Sequence, residues 1–210
     1  FDTGFPAYVN NLGFSPDGKR LLASAYQLKE YKEFSLSGEL LQTIAGYHEW
    51  CYGIGYLPNG NIYTMSSDGT AAIWDSQGKQ LKKEKVIADW GGSSSALSGN
   101  GKVLAAAKAS IEPGQQFINF IDAETLKAKK IGYLKNERVT TLALNSTGSL
   151  AASAVFENNK ISLWTENGLL RQIEAKTNAF WGTALCFSPD DQYIAAGYYD
   201  YTVSLFKTDG

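Results

Sequence analysis

The chain has 210 residues, 44% of them hydrophobic and 19% charged, with 19 Lys and Arg set against 21 Asp and Glu for a formal net charge of −2. At this length a domain buries enough surface to hold a core without metal or cross-links, and the near-neutral charge supplies no field to gather nucleic acid or an anionic membrane. One His and two distant cysteines, Cys51 and Cys186, build neither a conventional zinc site nor a disulfide scaffold, and no cofactor is expected. No apolar run approaches the ~20 residues needed to cross a bilayer, and no charged-then-apolar leader opens the sequence, so the default expectation for compartment is the cytoplasm.

Taken in chain order, a hydrophobic residue followed by a tight turn recurs five times: Phe14-Ser-Pro-Asp-Gly18, Tyr56-Leu-Pro-Asn-Gly60, Leu97-Ser-Gly-Asn-Gly101, Leu144-Asn-Ser-Thr-Gly148 and Phe187-Ser-Pro-Asp-Asp191. The spacings are 42, 41, 47 and 43 residues, a near-constant period that governs every later assignment. Strand a precedes each turn. Strand b follows it as a short apolar run: Leu21 to Ala25, Ile62 to Met65, Val103 to Ala107, Leu150 to Val155 and Tyr193 to Gly197. Strand c ends on a large aromatic, Phe34, Trp74, Phe120, Trp164 or Phe206, and in four repeats a Gly stands four positions later, at Gly38, Gly78, Gly168 and Gly210, implying a second turn. Strand d is more polar, as in Lys79 to Val86 and Leu169 to Ala175, which suits an outer position with one side in water.

Strand a has an asymmetry of its own. Two residues before its closing hydrophobic stand Leu12, Ile54, Ser95, Leu142 and Leu185, while one residue before stand Gly13, Gly55, Ala96, Ala143 and Cys186. Because side chains alternate faces along a strand, one face is mostly large and the other uniformly small, as expected where wedge-shaped sheets converge on an axis. Cys186 is then expected to be a small buried residue. Four short antiparallel strands repeated every ~40 to 45 residues are the signature of β-propeller blades. The fold class expected is all-β: about five four-stranded blades, approximately 7–47, 48–88, 89–133, 134–175 and 176–210 with 1–6.

These repeats resemble the WD-repeat propeller family over essentially the whole chain. The best segment is Ser66-Ser67-Asp68-Gly69-Thr70-Ala71-Ala72-Ile73-Trp74-Asp75, which ends on the family's Trp-Asp dipeptide. The resemblance implies a hydrogen-bonded network that ties a blade together, with Ser66, Asp68 and Trp74 in three of its positions. Related positions elsewhere are Trp164 and the polar Asn158 and Asp200, six residues before a strand-c aromatic. The family's Gly-His pair is replaced by Gly46-Tyr47, with His48 one place later, and Gly-aromatic pairs recur at Gly4-Phe5 and Gly132-Tyr133.

Catalytic signals are sparse. His48 beside Glu49 reads as a solvated loop residue, and Asp17, Asp68, Asp190, Asp191 and Asp209 coincide with turns, where Asp bonds its own backbone. Lys79, Lys82, Lys83 and Lys85 in one strand d, and Lys127, Lys129 and Lys130 in the next, read as protection of exposed sheet edges. Aromatics are the stronger signal. Tyr8, Trp50, Trp90, Arg138 and Trp181, with Phe180, begin successive strands a, and Tyr198, Tyr199 and Tyr201 sit in the last b–c loop. All are expected on the d–a/b–c face, and Trp, Tyr and Arg are the residues enriched in interface hot spots. The expected function is a non-enzymatic scaffold that recognises a protein or peptide through this face; the alternative is a small-ligand or carbohydrate-binding propeller in which the same rings stack on sugars. The phase of the two ends leaves open five blades that close on themselves or five consecutive blades of a larger, seven-bladed ring. The second is favoured because Gly4 and Pro6 make residues 1 to 6 a poor closing strand, and an incomplete blade edge invites association.

Overall fold

A computed structural model describes residues 1–45, 50–87, 92–108, 116–134, 139–155, 159–175 and 182–209. Among these the only regular elements are β-strands. They form antiparallel sheets in two compact units, Phe1–Gly92 and Ser93–Gly210. In the first unit one sheet runs β1 (Val9–Phe14), β2 (Arg20–Ala25), β3 (Glu30–Ser35), β4 (Leu40–Ala45), and the other β5 (Cys51–Tyr56), β6 (Ile62–Ser66), β7 (Thr70–Trp74), β8 (Gln80–Lys85). In the second unit β9 (Gly92–Leu97), β10 (Val103–Lys108), β11 (Gln116–Asp122) and β12 (Ala128–Leu134) form one sheet, and β13 (Val139–Leu144), β14 (Ala151–Val155), β15 (Lys160–Thr165) and β16 (Gly168–Glu174) another. A three-stranded sheet follows, β17 (Gly182–Phe187), β18 (Tyr193–Tyr198) and β19 (Val203–Lys207). Each sheet is a meander in sequence order, and each is one propeller blade.

The a–b turns show why the period is so regular. Ser15 Oγ accepts from the Arg20 amide at 2.9 Å, Ser98 Oγ from Val103 at 3.0 Å, and Ser188 Oγ from Tyr193 at 2.9 Å; Asn145 Oδ1 does the same for Leu150 at 3.1 Å. In four of the five turns the side chain after the closing hydrophobic thus satisfies the amide that opens strand b, and only Leu57 of the second blade has no acceptor to offer. Asp17 and Asp190 reinforce the turn by accepting from the Ser15 and Ser188 hydroxyls, bonds that hold both carboxyls below the usual carboxylate range. The fourth turn residue needs a left-handed backbone, with φ of 67° at Gly18 and Gly101, 83° at Gly60 and 78° at Gly148. In the last blade Asp191 takes that conformation at φ 59°, which Asp tolerates better than most side chains.

Packing follows the large and small faces of strand a. In the first unit β1 approaches β5 so closely that a Cβ on Gly13 would stand 3.2 Å from the Gly55 Cα. Outside this contact the core between the two sheets is built by Leu22, Tyr31, Ile44, Cys51, Ile54, Tyr56, Ile62, Ala72 and Trp74. In the second unit Ile118, Phe120, Val139, Leu142, Leu144 and Trp164 form one buried cluster. Ile161, Leu163, Ile194, Ala196 and Tyr198 form another, with Leu185 and Phe187 packed against it. Strands β8 and β12 are sheet edges, so the Lys-rich segments lie where edge protection requires them.

Residues 1–6 form no strand, in keeping with Gly4 and Pro6 as poor strand formers. Instead Phe1 packs on Phe34 with centroids 5.2 Å apart, and Lys32 Nζ donates to the Thr3 and Gly4 carbonyls while lying over the Phe5 ring. A local apolar and cation–π anchor on β3 holds this segment. Cys186 is exposed rather than buried: it shares a face of the last sheet with Ala195 and Leu205, and Leu205 is exposed as well.

Candidate functional site

In the first unit the d–a/b–c end carries an aromatic ladder. Tyr8, just before β1, stacks on Tyr26 in the b–c turn with centroids 4.8 Å apart and planes 13° apart, and Tyr26 tilts against Trp50 at 5.9 Å. The backbone fixes the rungs: the Tyr26 amide donates to the Tyr8 carbonyl at 3.0 Å, and the Ser67 amide to the Trp50 carbonyl at 2.8 Å. Asn10 Nδ2 reaches the Cys51 carbonyl at 3.2 Å, joining the two sheets beneath the rings. Tyr8 is exposed while Tyr26 and Trp50 are half-buried, so the ladder presents one open ring face on a packed support. The sequence singles out Tyr8 and Trp50 but not Tyr26, although its signal, an aromatic directly after strand b, is present in the first repeat.

The last b–c loop is divided. Tyr199 and Tyr201 are exposed, Tyr201 at 99% of its surface, but Tyr198 is buried in the core with Ile194 and Ala196. This corrects its assignment to a partner surface: Tyr198 ends β18 with its side chain on the covered face. Burial, with the Asp200 carboxylate adding to it, pushes its phenol up to about 12. Asp200 accepts from the Thr202 amide and hydroxyl at 3.1 and 2.6 Å, as Asp68 does from Thr70 at 2.9 and 2.6 Å. The turn residue between them is Gly69 in one case, φ 83°, and Tyr201 in the other, φ 66°. Trp90, Arg138, Phe180 and Trp181 lie outside the described residues, as do Asn158, His48 and the Gly46-Tyr47 pair.

The link within a blade uses a residue that motif reading missed. Trp74 Nε1 donates to Thr64 Oγ1 and Trp164 Nε1 to Ser153 Oγ, each at 2.9 Å with both partners buried. Thr64, not Ser66, therefore receives the indole. The strand register exposes a pattern across the chain. Ile62 pairs with Trp74 and Ala151 with Trp164; Leu21 pairs with Phe34, Ala105 with Phe120 and Ile194 with Phe206. Two residues on from these partners stand Thr64 and Ser153 in the Trp blades and Ala23, Ala107 and Ala196 in the Phe blades. A buried indole N–H requires an acceptor, whereas a phenyl ring does not.

Between the two sheets of the first unit lies a buried charge. Glu33 accepts from Arg20 Nη1 at 2.9 Å, from Gln42 Nε2 at 2.6 Å and from the Tyr56 hydroxyl. Arg20 also lies over the Tyr56 ring, 5.3 Å from its centroid. Burial, with Glu33 next, holds the Tyr56 phenol far above its usual value. In the second unit the a–b turns are joined in series. The Asn100 amide donates to the Ser146 carbonyl at 2.7 Å, and the Ser146 amide to Asp191 Oδ1 at 2.8 Å. These turns, with Leu144 and Phe187, line an open depression of about 510 Å³. Among the described residues no group of three His, Cys, Asp or Glu could hold a metal ion, and no helix is long and apolar enough to cross a membrane.

The sheets and their repeated turn chemistry define a chain of β-propeller blades, and two stretches of it carry WD repeats. The family described as "WD domain, G-beta repeat" matches residues 38–75 and 170–207, each running from a strand d through the next strand c. No curated protein matches the sequence. Among solved structures 1542 chains match, a breadth that identifies the fold and selects no activity. One, described as "Kuenenia stuttgartiensis Hydrazine Synthase", is 15% identical with a TM-score of 0.77. The match covers 99% of this chain but only 66% of that one, and at this identity carries the fold alone.

Proposed function

We propose that this chain is a non-enzymatic recognition scaffold that binds a protein or peptide partner through its d–a/b–c end. The carrying observation is the Tyr8–Tyr26–Trp50 ladder. Its rings are positioned before any partner arrives, so binding orders few side chains and retains more of the gain from burying aromatic surface. The exposed Tyr199 and Tyr201 extend the same reading to the second unit. The turn carboxylates are engaged in backbone and hydroxyl contacts, a structural use that fits a scaffold.

The test is selection of peptides from a displayed library against the folded chain, followed by binding to Tyr8→Ala and Trp50→Ala variants. Loss of a hot-spot aromatic costs ~2 kcal/mol or more, so affinity should fall about thirtyfold or more. Selected peptides that bind both variants unchanged would refute this face. The open face of Tyr8 also suits a sugar ring, and glycan-array binding without peptide selection would favour the carbohydrate reading.

A further inference from the structure

The depression in the second unit lies where three consecutive a–b turns meet, at the end of the sheets opposite the d–a/b–c loops. Its volume of about 510 Å³ falls among those of small-ligand sites, ~300–1,000 Å³. Leu144, Phe187 and Pro189 give it apolar walls, and Ser146, Thr147 and Asp191 give it a polar side. Asp191 is the only charged residue that lines it, and among the described residues neither Asp191 nor its neighbour Asp190 is ion-paired. The depression is therefore anionic and holds no cation of its own.

The carboxylate stands there against the backbone's preference. The other four blades use Gly18, Gly60, Gly101 and Gly148 at this left-handed turn position, and only the fifth places a side chain on it, with Asp191 at φ 59°. Joining adjacent turns does not require a charge: Asn100 bonds the Ser146 carbonyl through its amide at 2.7 Å and the Thr147 carbonyl through Nδ2 at 3.1 Å. Asp191 Oδ2 accepts from the Ser146 hydroxyl at 2.5 Å and from Asn145 Nδ2 at 3.3 Å, whereas Oδ1 accepts only from the Ser146 amide, at 2.8 Å. A carboxylate oxygen has two acceptor sites, so Oδ1 keeps one for a further donor. The neighbouring Phe187 and Pro189 walls select the kind of donor. A guanidinium is planar, more weakly hydrated than an ammonium and stacks on aromatic faces.

We propose that this depression binds an arginine side chain of a protein partner, its guanidinium donating to Asp191 Oδ1 and stacking on Phe187. The site is distinct from the aromatic ladder, and an NMR titration of the folded chain with acetyl-Gly-Arg-Gly-amide tests it. Saturable shifts should centre on the Gly99, Ser146 and Asp191 amides. The citrulline peptide, equal in shape but uncharged, should bind at least roughly tenfold more weakly, and the lysine peptide should also lose affinity. Asp191→Asn retains an acceptor for the Ser146 amide and tolerates the left-handed backbone; it should weaken the arginine peptide at least roughly tenfold, with unchanged far-ultraviolet dichroism showing that it folds. Thr147→Arg alters an exposed turn residue and should block the peptide by filling the depression from within the chain. Shifts confined to the Tyr8–Trp50 ladder, or scattered over the surface, would overturn the proposal. Citrulline or lysine peptides that bind as tightly as arginine, or full affinity in either variant, would do the same.

Discussion

Replacing Glu33 by Leu tests how a buried charge is held between two blades. Its carboxylate receives Arg20, Gln42 and the Tyr56 hydroxyl. Breaking one partner out of a buried charged pair costs ~3–5 kcal/mol when the other is left dry. Here the Arg20 side chain keeps 29% of its surface in water, so it rehydrates in part, and the chief loss is the stranded Tyr56 hydroxyl at ~1–3 kcal/mol. Glu33→Leu should therefore destabilise the fold by ~2–3 kcal/mol. The double variant Glu33→Leu/Tyr56→Phe installs the Leu and Phe that the chain already uses at positions 163 and 187, and should return to within ~1 kcal/mol of the original stability. Urea midpoints at unchanged m would measure both, and the double-mutant cycle should give a coupling of ~1 kcal/mol or more. Additive losses, or a neutral single variant, would refute the argument.

Trp164→Phe should cost ~1–3 kcal/mol by leaving Ser153 buried without its donor, while Trp164→Phe/Ser153→Ala, the pairing seen at Phe206 and Ala196, should recover most of the hydrogen-bond loss. Chemical denaturation of the three chains would show whether it does. Tyr201→Gly should stabilise by ~0.5–1 kcal/mol, since relief of ~1–2 kcal/mol from a left-handed backbone exceeds the entropic cost of Gly; a lowered thermal midpoint would contradict this. Burial holds the Tyr31 and Tyr56 phenols far above their ordinary value, with the Glu33 charge next for Tyr31 and the hydrogen bond to Glu33 next for Tyr56. The unfolded chain releases these protons near pH ~10. Stability from this source is therefore complete below that pH and lost as pH rises beyond it. The urea midpoint should fall between about pH 9 and 11, less steeply in Tyr56→Phe, and equal slopes would count against it.

The blades were legible because their signals are local. Ser15, Ser98 and Ser188 bond amides five residues away, so turn chemistry repeats wherever the short motif repeats. The partner of each indole was not found by motif, because Thr64 and Trp74 become neighbours only once the b–c register is known, although the covariation of Thr or Ser with Trp and Ala with Phe was present throughout the chain. Glu33 drew no notice since its partners come from three strands of two sheets. Tyr198 and Tyr199 are adjacent and chemically alike, and composition could not reveal which one faces the core. Cys186 was misjudged for a longer-range reason: its burial depends on a neighbouring sheet rather than on its own strand.

The a–b turns of the second unit have a kinetic consequence. Asn100 and Ser146 sit in exposed turns, where an amide would ordinarily exchange its hydrogen with solvent by local fraying. Their amides are held instead by acceptors on adjacent blades, the Ser146 carbonyl and the Asp191 carboxylate. Exchange at these two positions therefore requires neighbouring blades to part, and their protection reports separation of the array rather than fraying of a hairpin.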